Sequence, residues 1–203
     1  MNSKQTRIEN CADILPGYSL KARAEHEPEG SYQVIMAKHV KDCAPYNYTN
    51  NDRLRMSPKS KAEKYKVRQG DILFISRGTR NCAAVIESVP ENTIASGTFY
   101  IVRPHDSVLP AYIAWCLNQP QTQSQISQIR TGAGTPIVQR GDFKNIKIPL
   151  PSLGKQKQIG ELATLMAQEL QLRKQLVETT ETYQKALGQK LLSGLIQMNN
   201  QQD

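Results

Sequence analysis

The sequence predicts an α/β (α+β) domain with a twisted, mostly antiparallel sheet, followed by one long C-terminal coiled-coil helix. Three observations carry this. Short apolar runs bounded by Gly, Pro, Asn and Ser recur through residues 1–153. Two stretches that each begin with proline have helical spacing in the middle of that region. From residue 154 to about 198 there is no proline at all, and apolar residues return every three or four positions. The division that follows is a domain over 1–153, a dimerisation or spacer helix over 154–198, and a disordered tail over 199–203.

In order along the chain, "YSLKARAEH" and "SYQVIMAKHV" alternate well enough to be two strands, and "EPEG" between them is a turn, so the pair predicts a hairpin. The next stretch, "KDCAPYNYTNNDRLRMSPKSKAEKYK", has no sustained period and is rich in Asn, Pro, Ser and Lys. It predicts a long loop, with a short helical turn after Ser57-Pro58. A strand at Ile72 to Ile75, a loop "SRGTRN", a strand through Ala83 to Ile86 and another through "TFYIVR" come next. "LPAYIAWCLNQ" and "QPQTQSQISQIR" place Pro110 and Pro120 in first turns. The first buries Leu109, Ile113, Leu117 and one of Trp115 or Cys116, and Trp115 reads as core. "TGAGTPIVQRGDF" is a glycine-rich loop leading to a short helix, and "NIKIPL" is the last strand.

Pro149 and Pro151 hold the chain extended and exclude helix immediately before the long helical stretch, where Ser152 can cap. Its seam runs through Ile159, Leu162, Met166, Leu176, Tyr183, Leu187 and Leu191. Glu169 and Arg173 fall on that seam, so the heptad is imperfect. A helix of this length extends about 65 Å and cannot bury its apolar stripe on one small domain, so it requires a second helix.

The formal charge is +8, and its distribution is uneven. Residues 38–68 alone carry nine basic and three acidic side chains. A patch of this kind points to a polyanion as partner, against the alternative of a merely solvated basic loop. The four cysteines, Cys11, Cys43, Cys82 and Cys116, form no CxxC pair and have no histidine at ligand spacing, so they read as reduced structural thiols of a cytoplasmic protein. No charged-then-apolar leader opens the sequence, and no apolar run approaches the roughly 18 residues that span a bilayer.

The residues offer no catalytic centre. There is no GxxxxGK[ST], and "TGAGT" does not lie between a strand and a long helix. His26, His39 and His105 are scattered, without a paired acid or nucleophile, so neither a metal site nor a triad is expected. Asp142-Phe143-Lys144 has the form of a nuclease acid-x-Lys ending, but no acidic residue lies between Ser107 and Gly141 to supply a second metal ligand.

Binding residues are better represented. Base readout needs Arg, Asn, Ser or Thr on loops that reach a groove, and "SRGTRN" supplies Ser76, Arg77, Thr79, Arg80 and Asn81, with Gly78 permitting close approach. The alternative for this loop is a pair of surface arginines at a strand turn. Thr131, Thr135, Gln139 and Arg140 form a second candidate set. Lys38, Tyr46, Asn47, Arg53, Arg55, Lys59, Lys61 and Lys64 form the electrostatic arm for phosphates.

"VRQGDILFISRGTRNCAAVI", "TFYIVRP", "LPAYIAWCLN" and above all "TGAGTPIVQRGDFKNIKIPLPSLGKQKQIGEL" resemble a target-recognition domain and helix of the specificity subunit of type I restriction-modification systems. The pattern I-x-I-P-L-P-x-L-x-x-Q-x-x-I entering a long helix is the most specific part. It departs from the family's usual form in having Lys155 at an acidic position. The resemblance implies a non-catalytic subunit that reads double-stranded DNA in the major groove. It also implies a modification (methyltransferase) subunit as partner, with a restriction subunit as a further candidate and S-adenosylmethionine bound by the methyltransferase. The usual subunit has two recognition domains and two helices, whereas this sequence shows one of each. A homodimer with antiparallel helices and a two-part inverted-repeat target is therefore expected. A stand-alone DNA-binding regulator and a protein-binding coiled-coil adaptor are the rival readings.

Overall fold

The computed structural model describes residues 5–20, 26–48, 54–58 and 62–199. In chain order the strands and helices are β1 (Gln5–Arg7), β2 (Ala12–Pro16), β3 (Tyr32–Ile35), β4 (Tyr46–Asn47), β5 (Arg55–Met56), β6 (Ile72–Ile75), β7 (Ala83–Ser88), β8 (Thr93–Ala95) and β9 (Phe99–Pro104). Then come α1 (Pro110–Asn118), α2 (Pro120–Gln128), β10 (Arg130–Thr131), β11 (Ile137–Val138), α3 (Arg140–Lys144), β12 (Lys147–Pro149) and α4 (Leu153–Asn199). Residues 53, 59 and 61 of the expected phosphate-binding arm, residues 21–25 of the first expected strand and residues 200–203 of the expected tail lie outside the described residues.

The main sheet has the order β2-β9-β6-β7-β4, antiparallel except where β4 joins β7 in parallel. Its central strand β6, Ile-Leu-Phe-Ile, is buried along its whole length, as a continuous apolar run requires when both faces are covered. One face carries Phe74, which stacks on Phe143 of α3 at 4.3 Å between ring centroids, together with Ile113 and Leu117 of α1. The other face carries Leu73 and Ile75 with Ile35, Phe99 and Ile101. A second sheet, β5-β3-β8, and two small antiparallel pairs, β1-β12 and β10-β11, complete the domain.

The expected strands at 72–75, through 83–86 and through "TFYIVR" form, as do both proline-started helices. The expected hairpin does not. β3 pairs antiparallel with β5 and parallel with β8, while Tyr18 bridges Ser96. Long-range pairing won over the local turn, because β8 offers a buried Thr-Ile-Ala edge that matches the apolar face of β3. β1 and β2 were not foreseen, although β2 alternates Ala12 and Ile14 inward and pairs five residues with β9. Within α1 the dominant core residue is Tyr112, which donates its hydroxyl to the Pro149 carbonyl at 2.7 Å; Trp115 is only partly buried against it. Behind the main sheet the buried Asp71 receives both Nε and Nη2 of Arg103, at 2.8 and 2.7 Å, and this carboxylate raises the guanidinium further above its ordinary value.

The cysteines require a correction. Cys43 and Cys82 are joined by a disulfide, with Cα atoms 5.4 Å apart. The parallel β4-β7 pairing draws residues 39 apart in sequence to one place, which spacing could not reveal. Cys11 and Cys116 are buried thiols as expected; burial pushes Cys11 upward and Cys116 up to about 11.

Two compact units divide the chain, residues 1–164 and 165–203. The first three turns of α4 belong to the first unit. Gln156 is buried there: its Oε1 accepts the Leu109 N–H at 3.0 Å and its Nε2 donates to the Pro151 carbonyl at 2.9 Å. Leu109 is the residue just before α1, so this amide serves a helix terminus that no side chain of α1 caps. One turn later Gly160 lies so close to α1 that a Cβ there would meet the Ala111 Cβ at 3.1 Å. Lys155, the departure from the family pattern, points to solvent and leaves this junction unaltered.

Two outcomes are expected. Gln156→Ala leaves a half-buried N–H and a carbonyl without this partner and should cost about 1–3 kcal/mol in urea unfolding; an unchanged midpoint would show that the junction does not depend on the amide. Without reductant, a thiol reagent at pH 8 should find no reactive thiol in the native chain and two after unfolding, rising to four after reduction. Four reactive thiols in the unreduced, unfolded chain would show the bridge absent.

Candidate nucleic-acid interface

β6 ends at Ile75, and the chain crosses to β7 through residues 76–82. Both ends of this loop are sealed inward. Ser76 donates its N–H and its hydroxyl to the Thr98 carbonyl, each at 2.9 Å. Asn81 gives Nδ2 to the Ile75 carbonyl at 3.0 Å, while its own carbonyl accepts Nε2 of Gln123 at 2.7 Å. The tip is therefore fixed from below, and Arg77, Thr79 and Arg80 remain exposed.

The second loop of the sequence reading lies directly against the first. The Gly78 N–H donates to Pro136 at 2.8 Å, the Val138 N–H donates to Ser76 at 2.9 Å, and Arg77 bridges Ile137. Gly78 adopts φ +88°, a conformation that side chains other than glycine rarely take. Arg130 of β10 adds a hydrogen bond from Nη1 to the Thr79 carbonyl at 3.2 Å. The glycine-rich segment is thus the tip of the β10-β11 hairpin, zipped by main-chain bonds to the 76–82 loop. Tyr100 lies beneath both, donating its hydroxyl to Val138 at 2.6 Å. Burial pushes this phenol up, opposed by a hydrogen bond from Ser76 and by the nearby guanidiniums of Arg140 and Arg77.

A third segment joins them. Arg80 donates Nη2 to the Ala37 carbonyl at 2.9 Å, which fixes the turn carrying the exposed Lys38, and the Cys43–Cys82 disulfide ties the continuation of that segment to the loop end. One surface therefore collects Lys38, Arg77, Thr79, Arg80, Thr131, Thr135, Gln139 and Arg140. Gln139 lies 3.4 Å from the Thr131 hydroxyl. Arg130 belongs to this surface and was missed; its only sequence signal was its position at the mouth of the glycine-rich loop.

Other expected residues lie elsewhere. Ser76, Asn81 and Tyr46 are buried at 2 %, 6 % and 4 % exposure, so these three are supports and not outward-facing donors. An Asn at the inner end of a loop between two buried strands finds main-chain partners before it finds solvent. Asn47 donates to Glu87 at 2.5 Å. Arg55 and Lys64 belong to the region of the β5-β3-β8 sheet, Arg55 giving Nε to the Gly30 carbonyl and Lys64 lying over the Tyr65 ring. Arg53, Lys59 and Lys61 are outside the described residues.

Among the described residues no group of three or more His, Cys, Asp or Glu is placed to hold a metal ion, and no helix is long and apolar enough to cross a membrane. On α4, Leu162, Met166, Leu176, Tyr183, Leu187 and Leu191 are all exposed. Ile159 is the exception. It packs against the core of its own domain, because the first turns of the helix are docked there.

The family model described as "Type I restriction modification DNA specificity domain" matches residues 2–181. Three solved chains share the fold. One is the type I restriction-modification S subunit from M. genitalium, at 16% identity and TM-score 0.59, covering 88% of this chain and 42% of that one. Another comes from work on complex assembly and conformational transition of the type I R-M system, at 19% and 0.66, covering 92% and 43%. The third is the HsdS subunit from Thermoanaerobacter tengcongensis, at 20% and 0.56, covering 86% and 39%. The chain therefore spans about two fifths of the length of these relatives. No curated protein matches it.

Proposed function

The chain belongs to the type I restriction modification DNA specificity domain family, and from that premise we propose that it is a non-catalytic, cytoplasmic specificity subunit that reads double-stranded DNA for a methyltransferase partner. The observation that carries the reading is the zipped pair of loops. Main-chain bonds from Gly78 to Pro136 and from Val138 to Ser76 fix two loops as one rigid platform, and its outward side chains are Arg77, Arg80, Thr131, Gln139 and Arg140. Arginine and glutamine offer bidentate donors to guanine and adenine edges, and rigid presentation is what makes such contacts discriminating. Lys38 on the tethered turn supplies a phosphate contact.

S-adenosylmethionine would be held by the modification subunit, and a restriction subunit is the further partner. The exposed stripe on α4 supports pairing with the helix of a second copy, which sets two identical platforms on one DNA and selects a two-part target.

On a site recovered by selection from random duplexes, Arg77→Ala should cost about 1–3 kcal/mol at that site and little on unrelated DNA. Lys38→Ala should weaken both alike and reduce the salt slope by about one. Equal losses for Arg77→Ala on both DNAs would remove that loop from base readout. By light scattering the full chain should have twice 22.8 kDa. A chain ending at Thr164, which keeps Gln156, Ile159 and Gly160 in place, should be a folded monomer; dimers of that shorter chain would contradict the role of the helix.

A further inference from the structure

We infer that α4 pairs with the α4 of a second copy in one antiparallel register, fixed by Glu169 and Arg173, with the two-fold axis passing the helix at Gln171. The inference rests on the reading of a homodimer with antiparallel helices and adds their alignment. Through the middle of the helix the two seam positions of the heptad are Leu162, Met166, Glu169, Arg173, Leu176 and Thr180. Four of these six are uncharged and two are charged, and the charged pair sits at the centre. Within one helix they already meet, Arg173 giving Nε and Nη2 to Oε1 of Glu169 at 3.0 and 2.6 Å. That contact employs one carboxylate oxygen and two of the five guanidinium N–H groups.

In an antiparallel pair centred on Gln171, Glu169 faces Arg173 of the partner subunit and Arg173 faces Glu169 of the partner subunit. The two intrahelical pairs then close into one four-membered network. Met166 faces Leu176 of the partner subunit, and Leu162 faces Thr180 of the partner subunit. Leu170 meets its own copy on one flank of the axis and Leu172 meets its own copy on the other, so apolar side chains cover the charges from both sides. Leu170 and Leu172 are exposed at 51 % and 66 % in the single chain.

The alternatives leave charges unmatched. A shift by one heptad in one direction sets Arg173 against Leu176 and Glu169 against Thr180. In the other it sets Leu162 against Arg173 and Met166 against Glu169. A parallel pair stacks Glu169 on Glu169 and Arg173 on Arg173. Burying an unmatched charge costs several kcal/mol, so a single polar layer selects among registers that apolar layers alone would tolerate.

Cysteine cross-linking of the full chain tests this, with native background suppressed because Cys11 and Cys116 are buried and Cys43 and Cys82 are bridged. L170C alone should oxidise to a covalent dimer. M166C alone should not, since its two copies lie about 15 Å apart along the axis, whereas M166C mixed with L176C should cross-link. As a second arm, E169R and R173E should each self-associate roughly tenfold more weakly than the unmodified chain, and their mixture should recover. Both variants lose the intrahelical pair equally, so recovery reports the contact between helices. Dimers of M166C alone would overturn this pairing, since a parallel pair, or the shifted register that sets Met166 against Glu169, is what brings its two copies together. Cross-linking of M166C to Y183C in place of L176C would overturn the register while leaving the homodimer intact. A monomeric unmodified chain in light scattering would remove the homodimer reading and this inference with it.

Discussion

The buried amide of Gln156 is the constraint on which the architecture turns. Its two hydrogen bonds satisfy a helix-start N–H at Leu109 and a carbonyl at Pro151, both half-buried polar groups. This joins α1 to the entry of α4, and Gly160 permits the close approach that follows. Tyr112 contributes from the other side, its hydroxyl held by Pro149. The prolines of "IPLPSL" keep the chain extended up to this point, so helix begins only once the strand β12 has paired with β1. The long helix is thereby anchored at its start by a few specific contacts, and its apolar stripe from Leu162 to Leu191 is exposed in the single chain.

The same economy governs the candidate interface. Loops are ordinarily the variable and mobile parts of a domain, yet a loop that reads sequence must hold its donors still. Here the loop ends are buried through Ser76 and Asn81, and the tips are joined by main-chain bonds that do not depend on which side chains face outward. Arg80 and Arg130 each give one hydrogen bond inward, to Ala37 and to Thr79. Side chains that face outward can then vary in chemistry without disturbing the frame.

Much of this was legible in the sequence because it is local. The buried strand Ile72 to Ile75, the helices opened by Pro110 and Pro120, and the helix over Leu153–Asn199 follow from periodicity and proline placement. What failed was non-local. The pairing of β3 with β8, the disulfide between Cys43 and Cys82, and the inward direction of Asn81 depend on which distant segments meet, and spacing carries no record of that. The two candidate loops were each found from composition, but their union through Gly78 and Pro136 was not. Ile159 shows the limit of a helical stripe: the period marks a residue as interfacial without saying whether its partner is the same domain or another chain.

In the proposed dimer two identical platforms, presented by paired helices, read one DNA. The most direct measurement is the sequence of duplexes selected by the full chain from a random pool, at a stated salt concentration. Paired platforms should select an inverted repeat, two copies of one short motif in opposite orientation at a fixed separation. A single unrepeated motif, or no enrichment at all, would contradict it.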